Sequence, residues 1–281
     1  MGISQTDFEY VSRLARNEAA IVLEPGKEYL VENRLTPVAQ KEGFASLPDF
    51  IQSLRAKPKL NGQHFKAIEA LTTNETLFFR DFHPFEALRR QIIPKILERR
   101  ASARRLSIWS AACSSGQEPY SLAMMLREHF PQLANWTVSI IATDLSSAIL
   151  KSAQEGCYTQ FEVNRGLPAT YLLKYFSKQG EKWHIKEEVK RFITFRQMNL
   201  VQPWPVMHPF DIVMIRNVMI YFDVETKKNI LQKIRNCLLP NGYLFLGTAE
   251  TTTNLDPAFQ PVTIEKAVVY QTQTGTPKIT A

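Results

Sequence analysis

Three places in this 281-residue chain combine residue types and spacings that could do chemistry. The first follows the short, uncharged apolar run 106–111, where residues 113–116 are all small and Glu118 comes next. The second is Asp144, just past the apolar run 137–142. An acid beyond the end of the second strand of a βαβ unit is placed to accept hydrogen bonds from ribose hydroxyls. The third is the pair Arg216-Asn217, delivered by the strand 211–215 (DIVMI) to its carboxyl end, where open α/β sheets place their ligands. The small-residue loop falls short of a full G-x-G-x-x-G, since only Gly116 is glycine. That favours a ligand with no pyrophosphate to cradle, and leaves open an ordinary βαβ unit that binds nothing.

The elements that must position these residues are legible from periodicity. Residues 106–111 read as a strand buried on both faces. Pro119 suits a first helical turn, and Tyr120, Ala123, Leu126 and Phe130 recur at helical spacing. The fold class is therefore α/β, with a doubly wound sheet. Further along, the pattern predicts a helix over 146–155, a short helical patch over 171–176, and strands at 183–185 and 192–195 joined by a charged link. A helix over 224–239, a turn at 240–242, strands at 243–247 and 267–270, and a polar tail from Thr272 that frays complete this part.

Ahead of the sheet, the first 70 residues read as four helices. Thr6 is placed to cap the first, with Phe8, Val11, Leu14 and Ala15 on its apolar face. The second carries Leu30, Val31, Leu35 and Val38, and Pro37 is expected to kink or split it. Ser46-x-x-Asp49 opens the third, and Phe65, Ile68 and Leu71 mark the fourth. Lys27, Arg34 and Lys41 recur every seven residues and share a face if the helix is continuous. A polar, then apolar, then charged segment, 72–81, leads into a helix over 84–100.

Composition narrows the classes. The chain is 44% hydrophobic and 22% charged, as for a soluble globular protein, and no apolar run is long enough to span a membrane. Three scattered cysteines argue for a reducing compartment, the cytoplasm, and against a disulfide frame or zinc site; no metal is expected. The net charge of +7 arises after residue 70, since residues 1–70 carry nine Lys/Arg and nine Asp/Glu. The Arg99–Arg105 run has no interleaved aromatics, so it reads as a solvated face rather than a single-strand-binding platform.

Four motifs in order, TTNETLFFRD (72–81), SAACSSGQEPYS (110–121), ATDLS (142–146) and RNVMIYF (216–222), resemble those of the chemotaxis receptor glutamate methyltransferases, the CheR-type enzymes. The resemblance spans nearly the whole chain. It implies a small helical N-terminal domain (1–71), a Rossmann-like methyltransferase domain (72–281) and a small antiparallel β insert (157–198). It also implies use of S-adenosylmethionine, released as S-adenosylhomocysteine, to methylate glutamates on the cytoplasmic helices of chemoreceptors. By the same resemblance Asn74, Thr76 and Arg80 line the cofactor and its methyl end, Glu118 meets its amino-acid part, and Asp144 binds its ribose. Asn199-Leu200 match a pair on the adenine side, Arg216-Asn217 complete the cofactor set, and Tyr221 stands near the transferring methyl. A basic helix of the N-terminal domain meets the acidic receptor bundle, with Arg34 the best match and Lys27 beside it. In some members the β insert adds a strand from a receptor's C-terminal tether; here a packed hairpin with no ligand is equally open.

A glutamate carboxylate, with a pKa of about 4.3, is ionised near neutral pH and needs no general base. The expected catalytic residues are therefore positioning groups: Arg80, whose fork would orient the carboxylate, and Tyr221, flanking the methyl path. A monomer without nucleic-acid or membrane partners is expected. Two rivals stand beside this reading: a nucleic-acid methyltransferase, which lacks its Asn/Asp-Pro-Pro-Tyr/Phe motif here, and a non-catalytic receptor-binding or cofactor-sensing module.

Overall fold

A computed structural model describes residues 2–272. The chain forms two compact units. The first takes the residues up to Thr73 together with Asn199–Trp204 and Tyr221–Thr226; the second takes the rest of the described chain.

The first unit is built on α1 (Gln5–Ala19), α2 (Glu28–Lys41), α3 (Leu47–Arg55) and α4 (Gly62–Ala70). Their apolar faces close one core around Phe8, Val11, Val31, Leu35, Phe50, Ile51 and Leu54. Ser4, not Thr6, caps α1: its Oγ accepts the Asp7 N–H at 3.1 Å, and Thr6 lies inside the first turn. Pro37 sits inside α2 without splitting it. Its ring removes one ladder bond, but Pro37 is exposed, so water can satisfy the carbonyl it leaves.

The second unit opens with α5 (His83–Ala87) and α6 (Ile93–Arg99), which flank a π-helical turn at Leu88–Ile92. Pro94 explains the turn. It has no N–H for the Arg90 carbonyl, and the chain opens so that the Ile93 N–H reaches Leu88 instead. Next come β1 (Arg105–Ala111), α7 (Gln117–His129), β2 (Thr137–Asp144) and α8 (Ser147–Glu155). A small antiparallel sheet follows, in which β5 (Lys182–Ile185) lies between β3 (Cys157–Thr159) and β4 (Phe176–Gln179). Two short helices, α9 (Gln160–Asn164) and α10 (Ala169–Tyr175), lie between β3 and β4 in the chain, and α11 (Glu187–Lys190) follows β5. The chain then gives β6 (Ile193–Gln197), β7 (Phe210–Ile215), α12 (Val224–Cys237), β8 (Leu238–Leu246), β9 (Phe259–Ile264) and β10 (Ala267–Thr272).

The main sheet has seven strands in the order β6-β2-β1-β7-β8-β10-β9. The pairs β6–β2, β2–β1, β1–β7 and β7–β8 are parallel, and β10 runs against both its neighbours. β1 leads on to β2 on one side and β7 to β8 on the other, so the strand order reverses between β1 and β7, the place where such sheets bind ligands. β1 and β7 are buried almost throughout, as the apolar runs 106–111 and 212–215 require, and Asp211 of β7 is buried with them, accepting the Ser107 N–H.

Two expectations change, and one strand was not anticipated. Residues 192–195 do not pair with 183–185; 193–195 belong to β6, parallel to β2 in the main sheet, and Phe192 lies in the turn before it. The turn at 240–242 lies inside β8, where a register shift places Leu238 opposite Phe210 and Tyr243 opposite Ile212. Asn241 takes a left-handed φ of 60° there. β9 had no signal in the sequence: it is an edge strand with an exposed middle and carries Pro261, which cannot donate to a ladder. The polar tail expected to fray lies, beyond Thr272, outside the described residues.

Candidate functional site

The carboxyl ends of β1 and β2 meet in a turn that one carboxylate fastens. Asp144 is the last residue of β2, not a residue beyond it. Its Oδ2 accepts the Ser114 N–H at 2.8 Å, and its Oδ1 accepts the Ser146 N–H at 3.0 Å. The Cys113 N–H donates to the Thr143 carbonyl and the Gly116 N–H to the Cys113 carbonyl. Ala112, Ser114 and Gly116 alternate into left-handed backbone, with φ of 54°, 51° and 92°. A Cβ on Gly116 would stand 3.1 Å from Ala153 Cβ and from Tyr120 Cε2, so glycine is needed for close packing as well as for φ. With three amides of the turn engaged internally, it is poorly suited to wrap a diphosphate.

Glu118, in the first turn of α7, is half-buried. Its Oε1 accepts the Ser110 hydroxyl at 2.7 Å and its Oε2 accepts Arg216 Nη1 at 2.9 Å. Arg216, just past β7, has a side chain only 2% exposed. Its Nη2 donates to Asp81 Oδ2 at 2.6 Å and to the Arg80 carbonyl at 2.9 Å. Arg216 thus ties the segment 74–82 to the sheet. A second tie runs from Ser114 Oγ to the Asn74 carbonyl at 2.7 Å, and a third from the Phe79 N–H to Ser121 Oγ at 2.9 Å. The Phe78 ring is buried edge-on against Tyr158 and Phe176. Between these anchors Phe79, Asp81 and Phe82 take φ of 49°, 68° and 48°. Non-glycine residues in that region cost of order 1–3 kcal/mol each and persist only where the surroundings hold them.

The sequence-predicted residues separate by unit. Asn74, Thr76, Arg80, Glu118, Asp144, Arg216 and Asn217 lie in the second unit. Thr76 is half-buried, and Arg80 turns Nη1 to the Glu75 carbonyl at 3.1 Å. Asn217, at φ 59°, donates its N–H to Glu250 Oε2 at 2.8 Å. The same carboxylate accepts from Gly247 N–H at 2.6 Å and from Ile220 N–H at 3.2 Å.

Lys27, Arg34, Asn199, Leu200 and Tyr221 belong to the first unit. There Asn199 Nδ2 donates to the Glu18 carbonyl and its Oδ1 accepts the Val201 N–H; Leu200 is buried. Tyr221 closes the 3-10 turn Met219–Tyr221 and is half-buried. Arg34 donates to the Leu71 and Thr72 carbonyls and to Thr73 Oγ1, satisfying the end of α4. The stripe Lys27-Arg34-Lys41 is therefore not three outward cations: Lys27 precedes α2 and pairs with Glu24 at 3.6 Å, and Arg34 is turned to its own fold. Asp81, Ser110 and Glu250 were missed. Asp81 had a signal, since it ends the TTNETLFFRD motif; Glu250 lies in a loop with no motif at all.

Residues 74–268 match the family model described as CheR methyltransferase, SAM binding domain, and residues 6–68 match CheR methyltransferase, all-alpha domain. The chain belongs to the CheR methyltransferase family. Among its relatives are chemotaxis protein methyltransferase Cher2 of Pseudomonas putida, 38% identical over 96% of this chain and 99% of that one, and chemotaxis protein methyltransferase 1 of Pseudomonas aeruginosa, 39% identical over the same shares. The Vibrio parahaemolyticus chemotaxis protein methyltransferase is 38% identical over 96% of this chain and 98% of its own length.

The family's cofactor fits the residues present. Two carboxylates flank one small-residue turn, and a carboxylate is the natural partner of an ammonium group and of a ribose diol.

Proposed function

We propose that the rim formed by Glu118, Asp144 and the segment 74–82 carries the family's reaction in this chain: S-adenosylmethionine-dependent methylation of chemoreceptor glutamates to methyl esters. The observation that carries the residue-level reading is the pair of carboxylates held on either side of the turn 112–116. Glu118 binds the cofactor's ammonium group and Asp144 its ribose hydroxyls. Asn74 and Thr76 line the methyl end, Asn199 and Leu200 the adenine side, and Arg216 and Asn217 complete the set. When bound, the cofactor supplies an electrophilic methyl carbon on a sulfonium.

The work of this chain's own residues is alignment. The substrate carboxylate arrives ionised, so no side chain has to remove a proton. Arg80 orients it by its planar fork, leaving one oxygen directed at the methyl carbon. Because the anion is the nucleophile, Arg80 serves best as a guide rather than a neutralising partner. Tyr221 flanks the path. Partial exclusion of water strengthens both roles.

No helix among the described residues is long and apolar enough to cross a membrane. A cytoplasmic monomer fits this reading, and so does docking of the receptor bundle through Lys27 and Arg34, with the exposed Lys27 the freer of the two. The edge of the small sheet at β4, exposed over three of its four residues, suits strand addition by a receptor tether. The test is transfer of labelled methyl from S-adenosylmethionine to a receptor cytoplasmic fragment. Label lost on mild base treatment is expected, as for a carboxyl ester. No label on receptor, or base-stable label on DNA, would overturn the reading.

A further inference from the structure

We infer that Asp81 is a positioning residue which, through Arg216, couples occupation of the proposed cofactor site at Glu118 to the placement of Arg80. The inference rests on the proposed reading of the rim. Arg216 is one buried guanidinium shared between two carboxylates: Nη1 goes to Glu118 at 2.9 Å, and Nη2 goes to Asp81 at 2.6 Å. The same Nη2 holds the backbone carbonyl of Arg80 at 2.9 Å. The group that meets the cofactor's ammonium and the backbone that carries the substrate-orienting arginine therefore share a single cation.

The electrostatics give the coupling a sign. In the free protein Glu118 and Asp81 hold Arg216 together, on separate nitrogens, so a change in the pull of one carboxylate shifts the guanidinium's balance between them. An ammonium arriving at Glu118 supplies that carboxylate with a second cation and weakens its claim on Arg216. The guanidinium then binds Asp81 and the Arg80 carbonyl more firmly. Those two residues sit where the backbone is strained, since Phe79, Asp81 and Phe82 are all left-handed, so the clamp decides how well the segment keeps its shape. Asp81 itself is 36% exposed and far less enclosed than Arg216, which makes it the replaceable end of the chain of contacts. Linkage requires the effect to be reciprocal: cofactor tightens substrate by the factor that substrate tightens cofactor.

The test is calorimetric titration of S-adenosylhomocysteine into the full chain, with and without saturating receptor fragment, alongside steady-state methyl transfer. For the wild type, receptor should tighten the nucleoside by about fivefold or more. In Asp81→Ala that factor should fall to near one. Its affinity for the nucleoside alone should stay within about threefold of wild type, while at saturating receptor its KM for S-adenosylmethionine rises by about the factor by which the coupling falls and kcat drops more than about tenfold. Asp81→Asn retains a carbonyl oxygen for Arg216 and should recover part of both coupling and kcat, which a residue needed only for folding would not require. Asp81→Ala with wild-type coupling, or with kcat lost but coupling intact, would overturn the inference alone. Wild-type protein that neither binds the nucleoside nor labels receptor would overturn the functional reading and this inference with it.

Discussion

Gly166 lies so close to Phe78 that a Cβ on it would stand 2.1 Å from the Phe78 carbonyl oxygen. No side-chain rotation relieves a clash with backbone, and Gly166 also has a φ of 85°. The small antiparallel subdomain thus presses on the segment that carries Arg80. Gly166→Ala should cost about 2 kcal/mol or more of stability and displace residues 78–82, so that thermal melting and kcat fall together. A variant with wild-type melting and turnover would mean that the contact is not needed.

Arg80→Ala should lower kcat by more than about tenfold, about 1.4 kcal/mol in barrier, through loss of the proposed alignment of the carboxylate. Single-turnover transfer to a receptor fragment reads this directly. Near-normal turnover would remove Arg80 from the mechanism.

Asp144→Ala removes the acceptor of the Ser114 and Ser146 N–H groups as well as the proposed ribose partner. Stranded buried donors cost about 1–3 kcal/mol. The expected outcome is S-adenosylhomocysteine affinity reduced by about tenfold or more in calorimetry, together with a lower melting temperature. Asp144→Asn would keep an acceptor for the turn and should separate the two effects.

Arg34→Ala should be felt first in folding. It strips the partners from two carbonyls at the end of α4. A charged donor's hydrogen bonds contribute about 1.5–3 kcal/mol, less where water replaces them. Denaturant unfolding measures this. Lys27→Ala has no such role in the first unit, so reduced, salt-dependent receptor affinity in that variant would report docking alone.

Glu86 gives a pH dependence with a definite sign. The hydrogen bond from Arg89 holds its carboxyl below the usual value of 4.5, against burial and with help from Arg90. A carboxyl whose folded pKa is depressed stabilises the fold above its unfolded value, and that contribution fades as pH falls through the folded pKa. Glu86→Gln should thus cost about 0.5 kcal/mol at pH 7, the scale of a partly exposed pair, and nothing once pH is well below 4. Unfolding free energies of both proteins across pH 2–7 check it; a difference that persists at the acid end would refute the ion-pair origin.

The parts of the molecule legible in the sequence are those whose environment is uniform along the segment. β1 and β7 are buried on both faces, so their apolar runs announced them, and Ser46 and Gly116 marked their turns by local chemistry. Sequence pattern alone places β6 in a hairpin, because it follows 183–185 closely and 193–197 alternates like a hairpin strand, while its parallel partner, β2, lies about fifty residues back. β9 was invisible because an edge strand with exposed residues and a proline has no periodic signature. At the rim, Asp144 stood out in the sequence because it closes an apolar run, although it proves to be the last residue of β2. The junction of Arg216 with Asp81 and Glu118 could not be read there, for it joins residues 135 and 98 positions apart. Nor could the inward turn of Arg34, since seven-residue spacing places a residue on a helix face without saying what its side chain finds there.

The left-handed residues between Phe79 and Phe82 set stability and turnover against each other at one short stretch. Replacing Phe82, whose side chain is exposed, with glycine would relax the backbone and relieve local strain without losing a buried contact, and a screen for heat-resistant variants would favour such a change. The same freedom would let the guanidinium of Arg80 wander. Variants selected for toughness should therefore arrive as slow enzymes, and lineages under pressure for rapid sensory adaptation would keep bulky side chains in a conformation they dislike.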